Sequence, residues 1–453
     1  MEFLEGFSRR TLPMHMPGHK RNYALAPYIK KLGGDYDLTE LSDTDDLYNA
    51  SGLLKKSMEL TSRLYGVRNS FYLVNGTSCG VLSAVFACVN RGERVLVARN
   101  SHISVWNALF LRGARVSVLD CENEKGFCLG IKLSELEKSL ESSAYKLLII
   151  TSPSYEGVIS DVAAISRLCK RQGVKLMVDA AHGAHFGLFS YHEHAVGLGA
   201  DIEIKSLHKT LPSLGSTALL QSNDDELFER AKSYIRMFQT SSPSYVLMSS
   251  IDECMHLIEK RGEYLFKRFR GMLDFSEACF KRLRNIELFK PSKAGFSKDK
   301  SRLCFYSCKN GEKLYEMLKK SGIYMEMSSE NHCLALTGLT ESKKALCALI
   351  DGLISADRLI ENKNEQGPCS CLEYPKLHEV DYSLFNCETE VVSLDKAKGR
   401  VLAENVYAYP PGIAYLIAGQ RLEGETYYSL LNNDKLHYSL TEKNKNVVNV
   451  SKM

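Results

Sequence analysis

The sequence predicts an α/β fold with a mostly parallel central sheet, followed by a smaller α/β domain and a C-terminal domain. From about residue 54 onward, short apolar segments alternate with longer segments of helical periodicity. The apolar strand candidates are FYLV, RVLVA, ARVSVLD, KLLIITS, VKLMVDA and DIEI. Strands that alternate with helices pair in parallel, because the helix carries the chain back to the start of the next strand.

Changes of pattern along the 453 residues predict five segments. The polar sequence ENKNEQGPCSCLEYPK marks a linker, and a long helical pattern over residues 243–283 leads out of the large domain. A Pro-Pro-Gly turn at residues 409–412 and a polar tail, NKNVVNVSKM, belong to the last segment. The segments are an N-terminal segment (1–53), a large domain (54–283), a small α/β domain (284–360), the linker (361–379) and a C-terminal domain (380–453).

Composition and charge exclude several classes of function. The net charge of +4 over the whole chain creates no field that gathers nucleic acid or anionic membrane, and no basic stripe contains interleaved aromatic residues. No window reaches the ~18 uninterrupted apolar residues of a membrane span. We therefore expect a cytoplasmic protein with neither a nucleic-acid nor a membrane partner.

The fourteen cysteines are expected to be reduced thiols, most of them in the core. Cys304 with Cys308, and Cys369 with Cys371, form close pairs. These pairs lack the second pair or the histidines that zinc coordination requires. The sequence thus predicts no metal site.

Asp179 and Lys209 are the two residues on which the chemical interpretation depends. Asp179 ends the apolar segment VKLMVD, and Lys209 follows the apolar segment DIEI. In parallel sheets, ligands bind at the carboxyl ends of the strands, so both side chains are expected at one crevice. Pyridoxal phosphate accounts for both, because a lysine holds it as a Schiff base and a carboxylate keeps its ring nitrogen protonated.

Neither residue is specific by itself. An aspartate at a strand end is more often a helix cap or a turn residue, and Lys205 is an alternative to Lys209. Because Lys205 precedes the turn, we expect its side chain to point to solvent.

Two further segments suit the same cofactor. The loop residues Asn75, Gly76, Thr77 and Ser78 precede a helical segment, whose N-terminus could bind a phosphate; simple helix capping by Thr77 or Ser78 is an equally good interpretation. His102 follows the apolar segment RVLVA and could stack on the cofactor ring. A histidine in such a position is more often a surface residue.

Taken together, the motifs resemble those of the ornithine/lysine/arginine decarboxylases, in their shorter bacterial form. The resemblance extends from about residue 13 to about residue 420, with the motifs in family order. The matching motifs are MHMPGHKRN, DLTELSDTDDLYNASG, FYLVNGTSCG, RNSHISVWNAL, ITSPSYEGVISDV, VDAAHGAHFG, SLHKTLPSLGSTALL, QTSSPSYVLMSSID and AKGRVLAENVYAYPPGI.

This resemblance implies the aspartate-aminotransferase-like fold, known as type I among pyridoxal-phosphate enzymes, and a role for each matching residue. Lys209 would form the Schiff base, Asp179 would face the pyridine nitrogen and His102 would stack on the ring, which makes these three the expected catalytic residues. His182 would lie near the ring hydroxyl. Gly76, Thr77, Ser78, Ser206 and His208 would hold the phosphate. Residues 239–243 would lie near the interface of a homodimer or of a larger assembly of dimers.

The implied reaction is loss of the α-carboxylate from lysine, arginine or ornithine, which yields a polyamine precursor and carbon dioxide. The distal cation of such a substrate should meet a carboxylate, because burying it unpaired is costly. The candidate carboxylates are Glu40, Asp43, Asp45 and Asp46.

Four positions differ from the family pattern. Ala180 replaces a glutamate, Ile103 a lysine, Gln420 a glutamate and Tyr48 a histidine. Loss of a negative charge at residue 420 would weaken the selection of a basic substrate if that site lies near it. Two alternatives therefore remain open, namely an aminotransferase or lyase reaction on the same scaffold, and a catalytically weak partner subunit that binds the cofactor.

Overall fold

The computed structural model describes residues 2–360, 375–377, 379–382, 388–408, 412–431, 436–438 and 447–452. Its helices are α1 (Glu2–Arg10), α2 (Pro27–Lys31), α3 (Leu53–Tyr65), α4 (Gly76–Cys88), α5 (Ile103–Arg112), α6 (Leu133–Ser142), α7 (Val162–Arg171), α8 (Asp225–Phe238), α9 (Tyr245–Phe280), α10 (Gly311–Lys320), α11 (Lys343–Asp357) and α12 (Gly424–Leu431).

The strands within the described ranges alternate with these helices along the first half of the chain. They are β1 (Asn69–Leu73), β2 (Arg94–Ala98), β3 (Arg115–Leu119), β4 (Cys121–Glu124), β5 (Phe127–Ile131), β6 (Leu147–Thr151), β7 (Val158–Ser160), β8 (Lys175–Asp179), β9 (Ile202–Ser206), β10 (Ala218–Ser222), β11 (Glu287–Leu288), β12 (Phe296–Lys298), β13 (Arg302–Tyr306), β14 (Met327–Ser328), β15 (His332–Leu336), β16 (Val380–Asp381), β17 (Thr389–Ser393), β18 (Val406–Ala408), β19 (Ile413–Leu416), β20 (Leu436–Tyr438) and β21 (Val447–Ser451).

The central sheet has the strand order β1-β10-β9-β8-β6-β2-β3-β16. Its inner strands β3, β2, β6, β8 and β9 pair in parallel, which confirms the predicted mostly parallel sheet. The six apolar segments of the sequence correspond to β1, β2, β3, β6, β8 and β9. The antiparallel strands β10 and β16 were not predicted.

Both faces of this sheet are buried, which explains why its strands are continuous apolar segments. Along β2, Val95 and Val97 point into one apolar cluster, while Leu96 and Ala98 point into another. Successive side chains of a strand alternate between faces, so a strand covered on both sides needs apolar residues at every position. The sheet is thus a rigid platform for the residues that follow its carboxyl ends.

Helix α9 connects this layer to a smaller one. The sequence pattern predicted a helix over residues 243–283, and the helix begins at Tyr245, where the Ser244 side chain caps it, and ends at Phe280. Beyond it, β11, β13, β15 and β14 form a four-stranded sheet. Helices α10 and α11 pack on this sheet around a separate core that contains Phe305, Leu314 and Leu353. The boundaries predicted for the domains stay predictions.

The C-terminal part joins the large layer. Strand β16 extends the central sheet, and Arg99, just after β2, donates hydrogen bonds to the carbonyls of Ala414 and Tyr415 at 2.5 and 3.1 Å. The expected polar tail is instead partly a strand, since β21 pairs with β17 and buries Val448 and Val450. Most of the linker predicted over 361–379, namely residues 361–374 and 378, lies outside the described residues, as do residues 409–411 of the Pro-Pro-Gly turn.

Ten of the cysteines are free thiols, as predicted. Cys308, which lies half-buried in the turn after β13, is an exception because it is disulfide-bonded. Cys369 and Cys371 lie outside the described residues. In the described part of the chain, no helix is long and apolar enough to cross a bilayer.

Candidate active site

A cavity opens where the parallel strands end. Asn100 and His102 follow β2, Thr151 ends β6, Asp179 ends β8, and Lys209 follows β9. Carboxyl ends of parallel strands share one edge of a sheet, which brings together residues far apart in sequence. The lining residues are Thr77, Asn100, His102, Cys128, Thr151, Ser154, Tyr155, Glu156, Asp179, Ala181, His182, Lys209 and Ile413.

Lys209 ends a short 3₁₀ turn, Leu207–Lys209, directly after β9. Its Nζ lies 3.0 Å from Nε2 of His182. Burial lowers the pKa of Lys209; Asp179 acts in the opposite direction, and Arg302 lowers the pKa further. A lysine with a lowered pKa is more readily neutral, which is the nucleophilic form.

Asp179 is buried, and its Oδ1 accepts a hydrogen bond from the Ala181 amide at 3.1 Å. Its negative charge acts on both His102 and Lys209.

His102 caps the N-terminus of α5, where its Nδ1 accepts a hydrogen bond from the Ser104 amide at 3.2 Å. Burial lowers the pKa of His102, Asp179 opposes this shift and Lys209 reinforces it. Gly412 lies directly against the ring, and Ile413 of the C-terminal part lines the cavity. The alternative of a surface histidine is therefore excluded.

The N-terminus of α4 meets the same cavity through Thr77. Gly76, Thr77 and Ser78 were expected in a loop, but α4 begins at Gly76, so all three belong to its first turn. No side chain caps this helix, which argues against the simple capping interpretation. The amides of a first helical turn have no partner within the helix and carry the positive end of its dipole.

Ser206 and His208 do not line the cavity, although they lie close to Lys209 in sequence. The Ser206 hydroxyl lies 3.2 Å from Nδ1 of His208, which in turn lies 3.2 Å from the Thr217 carbonyl. They fix the turn that carries Lys209.

Lys205 was predicted to point to solvent, and this prediction was wrong. Its side chain is fully buried, with Nζ 3.1 Å from Glu203 Oε1 and 2.9 Å from Gln221 Oε1. Glu203 also bonds to His194 at 2.7 Å. Residues two apart in a strand share a face of the sheet. Glu203 and Lys205 therefore pair on one face of β9, and not at the carboxyl end of the strand.

In the described part of the chain, two buried polar atoms of the cavity have no hydrogen-bond partner, namely Oδ1 of Asn100 and Oγ1 of Thr151. Buried polar groups are nearly always paired, so such atoms mark a place for a polar ligand. The sequence analysis did not select Asn100, Thr151 or Glu156. Position alone could have identified the first two, because they lie at the ends of β2 and β6.

The four acidic residues proposed to bind the substrate do not line this cavity. Asp45 instead accepts backbone hydrogen bonds from Asp46, Ser51, Gly52 and Leu54 at 2.9–3.1 Å. Asp46 caps a 3₁₀ turn, Glu40 accepts from the Thr39 hydroxyl at 2.7 Å, and Asp43 is exposed. The carboxylates of Asp45 and Asp46 thus stabilise a turn.

The four residues that differ from the family pattern each take part in hydrogen bonds. Tyr48 accepts a hydrogen bond from Gln239 Nε2 at 3.2 Å, and Gln239 Oε1 accepts from the Val74 amide, just ahead of α4, at 2.8 Å. Oε1 of Gln420 accepts from the Ile417 amide at 3.1 Å, and its buried Nε2 has no partner. Ala180 and Ile103 contribute backbone hydrogen bonds to Ile204 and Gly412. None of these four side chains lines the cavity.

Comparison with known proteins matches two family descriptions to this chain. Residues 7–321 match the Orn/Lys/Arg decarboxylase major domain, and residues 374–433 match the C-terminal domain of the same family. The chain belongs to the Orn/Lys/Arg decarboxylase family.

The family assignment agrees with individual relatives. Uncharacterized protein YaaO of Bacillus subtilis is 32% identical over 93% of this chain and 91% of its own length. An arginine decarboxylase of the same organism is 28% identical over 94% and 91%. The chain is similar to the solved lysine decarboxylase LdcF of Francisella novicida, with a TM-score of 0.82 and 16% identity over 99% of this chain and 80% of that one.

The predicted aspartate-aminotransferase-like fold is confirmed. The likeness extends to a solved ureidoglycine-glyoxylate aminotransferase of Bacillus subtilis, with a TM-score of 0.56 and 16% identity over 70% of this chain and 87% of that one. Membership of the Orn/Lys/Arg decarboxylase family supports a decarboxylase.

Proposed function

We propose that this Orn/Lys/Arg decarboxylase homologue uses pyridoxal phosphate to remove the α-carboxylate of a basic amino acid. The observation that carries the proposal is the meeting of Lys209, Asp179 and His102 in one cavity at the carboxyl ends of β9, β8 and β2. Each has the chemical character that its proposed role requires. A neutral lysine can attack a carbonyl carbon, a carboxylate can hold a pyridinium, and an imidazole can stack on a ring.

The residues present fit the cofactor. Lys209 would hold it covalently, Asp179 would face its ring nitrogen, and His102 and His182 would lie against the ring. The uncapped first turn of α4, with Gly76, Thr77 and Ser78, suits a phosphate. Ser206 and His208 would support the phosphate end of the site. Oδ1 of Asn100 and Oγ1 of Thr151 would gain hydrogen-bond partners.

When bound, pyridoxal phosphate supplies a ring that accepts the electron pair left behind as carbon dioxide departs. The protein orients the substrate, excludes water through the burial of Asp179 and His182, and returns a proton to the substrate carbon. Lys209 and His182 are the groups in the cavity suited to carry that proton, since they share a hydrogen bond.

The position and charge of Glu156 support the proposal that the substrate is a basic amino acid. It lines the cavity, and its Oε2 accepts a hydrogen bond from the Ser154 hydroxyl at 2.9 Å. Burial raises the pKa of Glu156, which Ser154 and Lys298 only partly offset. A cationic ammonium or guanidinium would relieve this unfavourable burial of charge. Arginine is the first candidate, because the relative at 28% identity is an arginine decarboxylase; lysine and ornithine are the others.

We propose further that the enzyme works in the cytoplasm as a homodimer or an assembly of dimers. Three large apolar side chains near the N-terminus support an interface with a second copy. Leu12, Met14 and Leu25 are 87%, 93% and 84% exposed. Apolar side chains that are exposed together on a segment are typical of a contact surface.

The proposal is tested by the visible spectrum of the purified protein and by carbon dioxide release from arginine, lysine and ornithine. We expect an absorption band near ~420 nm, fixed by borohydride onto Lys209, and carbon dioxide from one of the three substrates. Lys209→Ala should lose both signals. Lys170→Ala, which removes an exposed lysine, should keep both.

The possible outcomes test the cofactor assignment and the decarboxylase assignment separately. A band without carbon dioxide would leave the cofactor and overturn the decarboxylase assignment. In that case, formation of a keto acid would indicate transamination, and co-purification with an active relative would indicate a partner subunit. Absence of the band would overturn the role of Lys209.

A further inference from the structure

His182 lies between the side-chain amine of Lys209 and the guanidinium of Arg302. Its Nε2 is 3.0 Å from Nζ of Lys209, and its Nδ1 is 3.3 Å from Nη2 of Arg302. The same Nη2 also donates to the His182 carbonyl at 3.2 Å. Arg302 begins β13 of the smaller layer, 120 residues further along the chain than His182.

The contacts of its two ring nitrogens determine which nitrogen of the His182 imidazole carries the proton. A guanidinium has only donors, so Nδ1 of His182 must be the acceptor and carries no proton. The proton of a neutral imidazole is then on Nε2, which donates to Lys209. To accept this bond, Lys209 needs a lone pair, and an ammonium group has none.

We infer that Arg302 is a positioning residue that holds His182 in the Nε2–H tautomer and thereby keeps Lys209 in its neutral, nucleophilic form. The inference deepens the proposed function, since it rests on Lys209 as the residue that attacks a carbonyl carbon.

The electrostatics agree with this arrangement. Burial lowers the pKa of His182 well below its ordinary value, and the charge of Arg302 lowers it further, against a weaker effect of Asp299. A doubly protonated imidazole is therefore disfavoured. The pKa of Lys209 is lowered by burial and by Arg302, while Asp179 and Glu326 act in the opposite direction.

Asp299 anchors the backbone of Arg302, since the Arg302 amide donates a hydrogen bond to the Asp299 carbonyl at 3.2 Å. The Arg302 side chain is fully buried, and the neighbouring carboxylate of Asp299 stays ionised, because His185, Arg302 and Ser301 outweigh the effect of burial on the pKa of Asp299. Asp299 is itself fixed by His185 Nε2 at 3.2 Å and by the Tyr191 hydroxyl at 3.1 Å.

Gly157 provides room for the Arg302 stem. A Cβ at residue 157 would lie 2.5 Å from Cβ of Arg302. Among the described residues, Nε and Nη1 of Arg302 have no hydrogen-bond partner, so the hydrogen bonds that orient its guanidinium there are those with His182.

The tautomer can be read by nitrogen NMR of the full chain, labelled with ¹⁵N-histidine and freed of pyridoxal phosphate. His182→Asn identifies the resonances by their loss. We expect an unprotonated Nδ1 and a protonated Nε2 in the wild type and in Arg302→Lys, which retains a charged donor. In Arg302→Met, which lacks a donor, we expect the proton to move to Nδ1 or to exchange between the two nitrogens.

A second measurement reports on Lys209. The rate at which the cofactor-free protein forms its ~420 nm band with added pyridoxal phosphate should depend on pH through the neutral fraction of the amine. For Arg302→Met we expect the midpoint to move up by about one pH unit, equivalent to about tenfold slower reaction at pH 7.5. Arg302→Lys should restore most of the rate.

An Nδ1–H tautomer in the wild type would overturn the inference, as would an unchanged tautomer in a folded Arg302→Met. If Arg302→Met does not fold, the wild-type and Arg302→Lys tautomers still decide the question. The tautomer is read without cofactor or turnover. A failure of the inference in an active enzyme therefore leaves the proposed function intact, and an inactive wild type does not by itself affect the tautomer.

Discussion

Gly412 of the C-terminal part lies against the ring of His102, the histidine that caps α5 in the cavity. A Cβ added to Gly412 would be 2.8 Å from Nε2 and 2.9 Å from Cδ2 of His102. The backbone reinforces this contact, since the Ile103 amide donates to the Gly412 carbonyl at 2.8 Å. The C-terminal part therefore forms one wall of the site and sets the position of its histidine.

Gly412→Ala should displace the His102 ring and weaken cofactor binding and carbon dioxide release at least tenfold. Gly412 also has a φ of +93°, where an L-residue is strained by about 1–2 kcal/mol. Gly399→Ala is the matched control, because Gly399 has a φ of +80° and a Cβ there meets nothing within 4 Å. Cofactor affinity can be measured by titration of the ~420 nm band. Equal affinity in the two variants would contradict the role of the contact.

Much of the fold could be predicted because the inner strands are buried on both faces. β2 and β8 are continuous apolar segments, and such segments separated by helices specify a parallel sheet. The meeting of Asp179 and Lys209 followed from the same rule, since each comes at the carboxyl end of a strand. The antiparallel β10 and β16 could not be predicted in this way, because strand direction at a sheet edge depends on tertiary connections.

Arg302 and Glu156 illustrate what the sequence did not reveal. Arg302 meets His182 only because β13 of the smaller layer packs against the turn after β8. Glu156 faces the cavity from the loop between β6 and β7, where an acidic residue looks like an ordinary turn residue. The buried Lys205 had a usable signal, namely Glu203 two residues earlier on the same face of the strand.

Lys205→Met should lower the free energy of unfolding by about 3–5 kcal/mol, because it leaves the fully buried Glu203 without its cationic partner. The double variant Glu203→Gln with Lys205→Met should lose less than the single variant, since it leaves no isolated charge. Urea unfolding followed by circular dichroism measures both. The folded single variant should still form the ~420 nm band.

Loss of that band in folded Lys205→Met, with the band retained in Lys209→Ala, would exchange the roles of the two lysines. A double variant less stable than Lys205→Met would contradict the unpaired-charge explanation.

Glu156→Gln should raise the KM for a basic substrate about tenfold at pH 7.5 and leave kcat less affected. In the wild type the carboxylate is ionised above its raised pKa, so KM should fall as pH rises through that value. The variant cannot ionise at residue 156, and its KM should lose this part of the pH dependence. Initial rates between pH 5 and 8 measure the difference.

Glu141→Gln is the control for this experiment. Glu141 is exposed near the end of α6 and does not line the cavity. Its KM profile should follow the wild type. Equal effects of both substitutions would mean that general electrostatics, rather than contact with Glu156, selects the substrate.

Replacing Leu12, Met14 and Leu25 by serine should weaken the proposed dimer at least tenfold. Burial of a leucine or methionine contributes about 1.5–3 kcal/mol, and tenfold corresponds to about 1.4 kcal/mol. Light scattering during size-exclusion chromatography should give twice the chain mass of 50.9 kDa for the wild type and a shift toward one chain for the variant. A control variant carries serine at Phe275, Tyr324 and Leu359, which are 51%, 74% and 67% exposed elsewhere on the chain. If the control dissociates as readily, or the N-terminal variant keeps the wild-type mass on dilution, the interface lies on another surface.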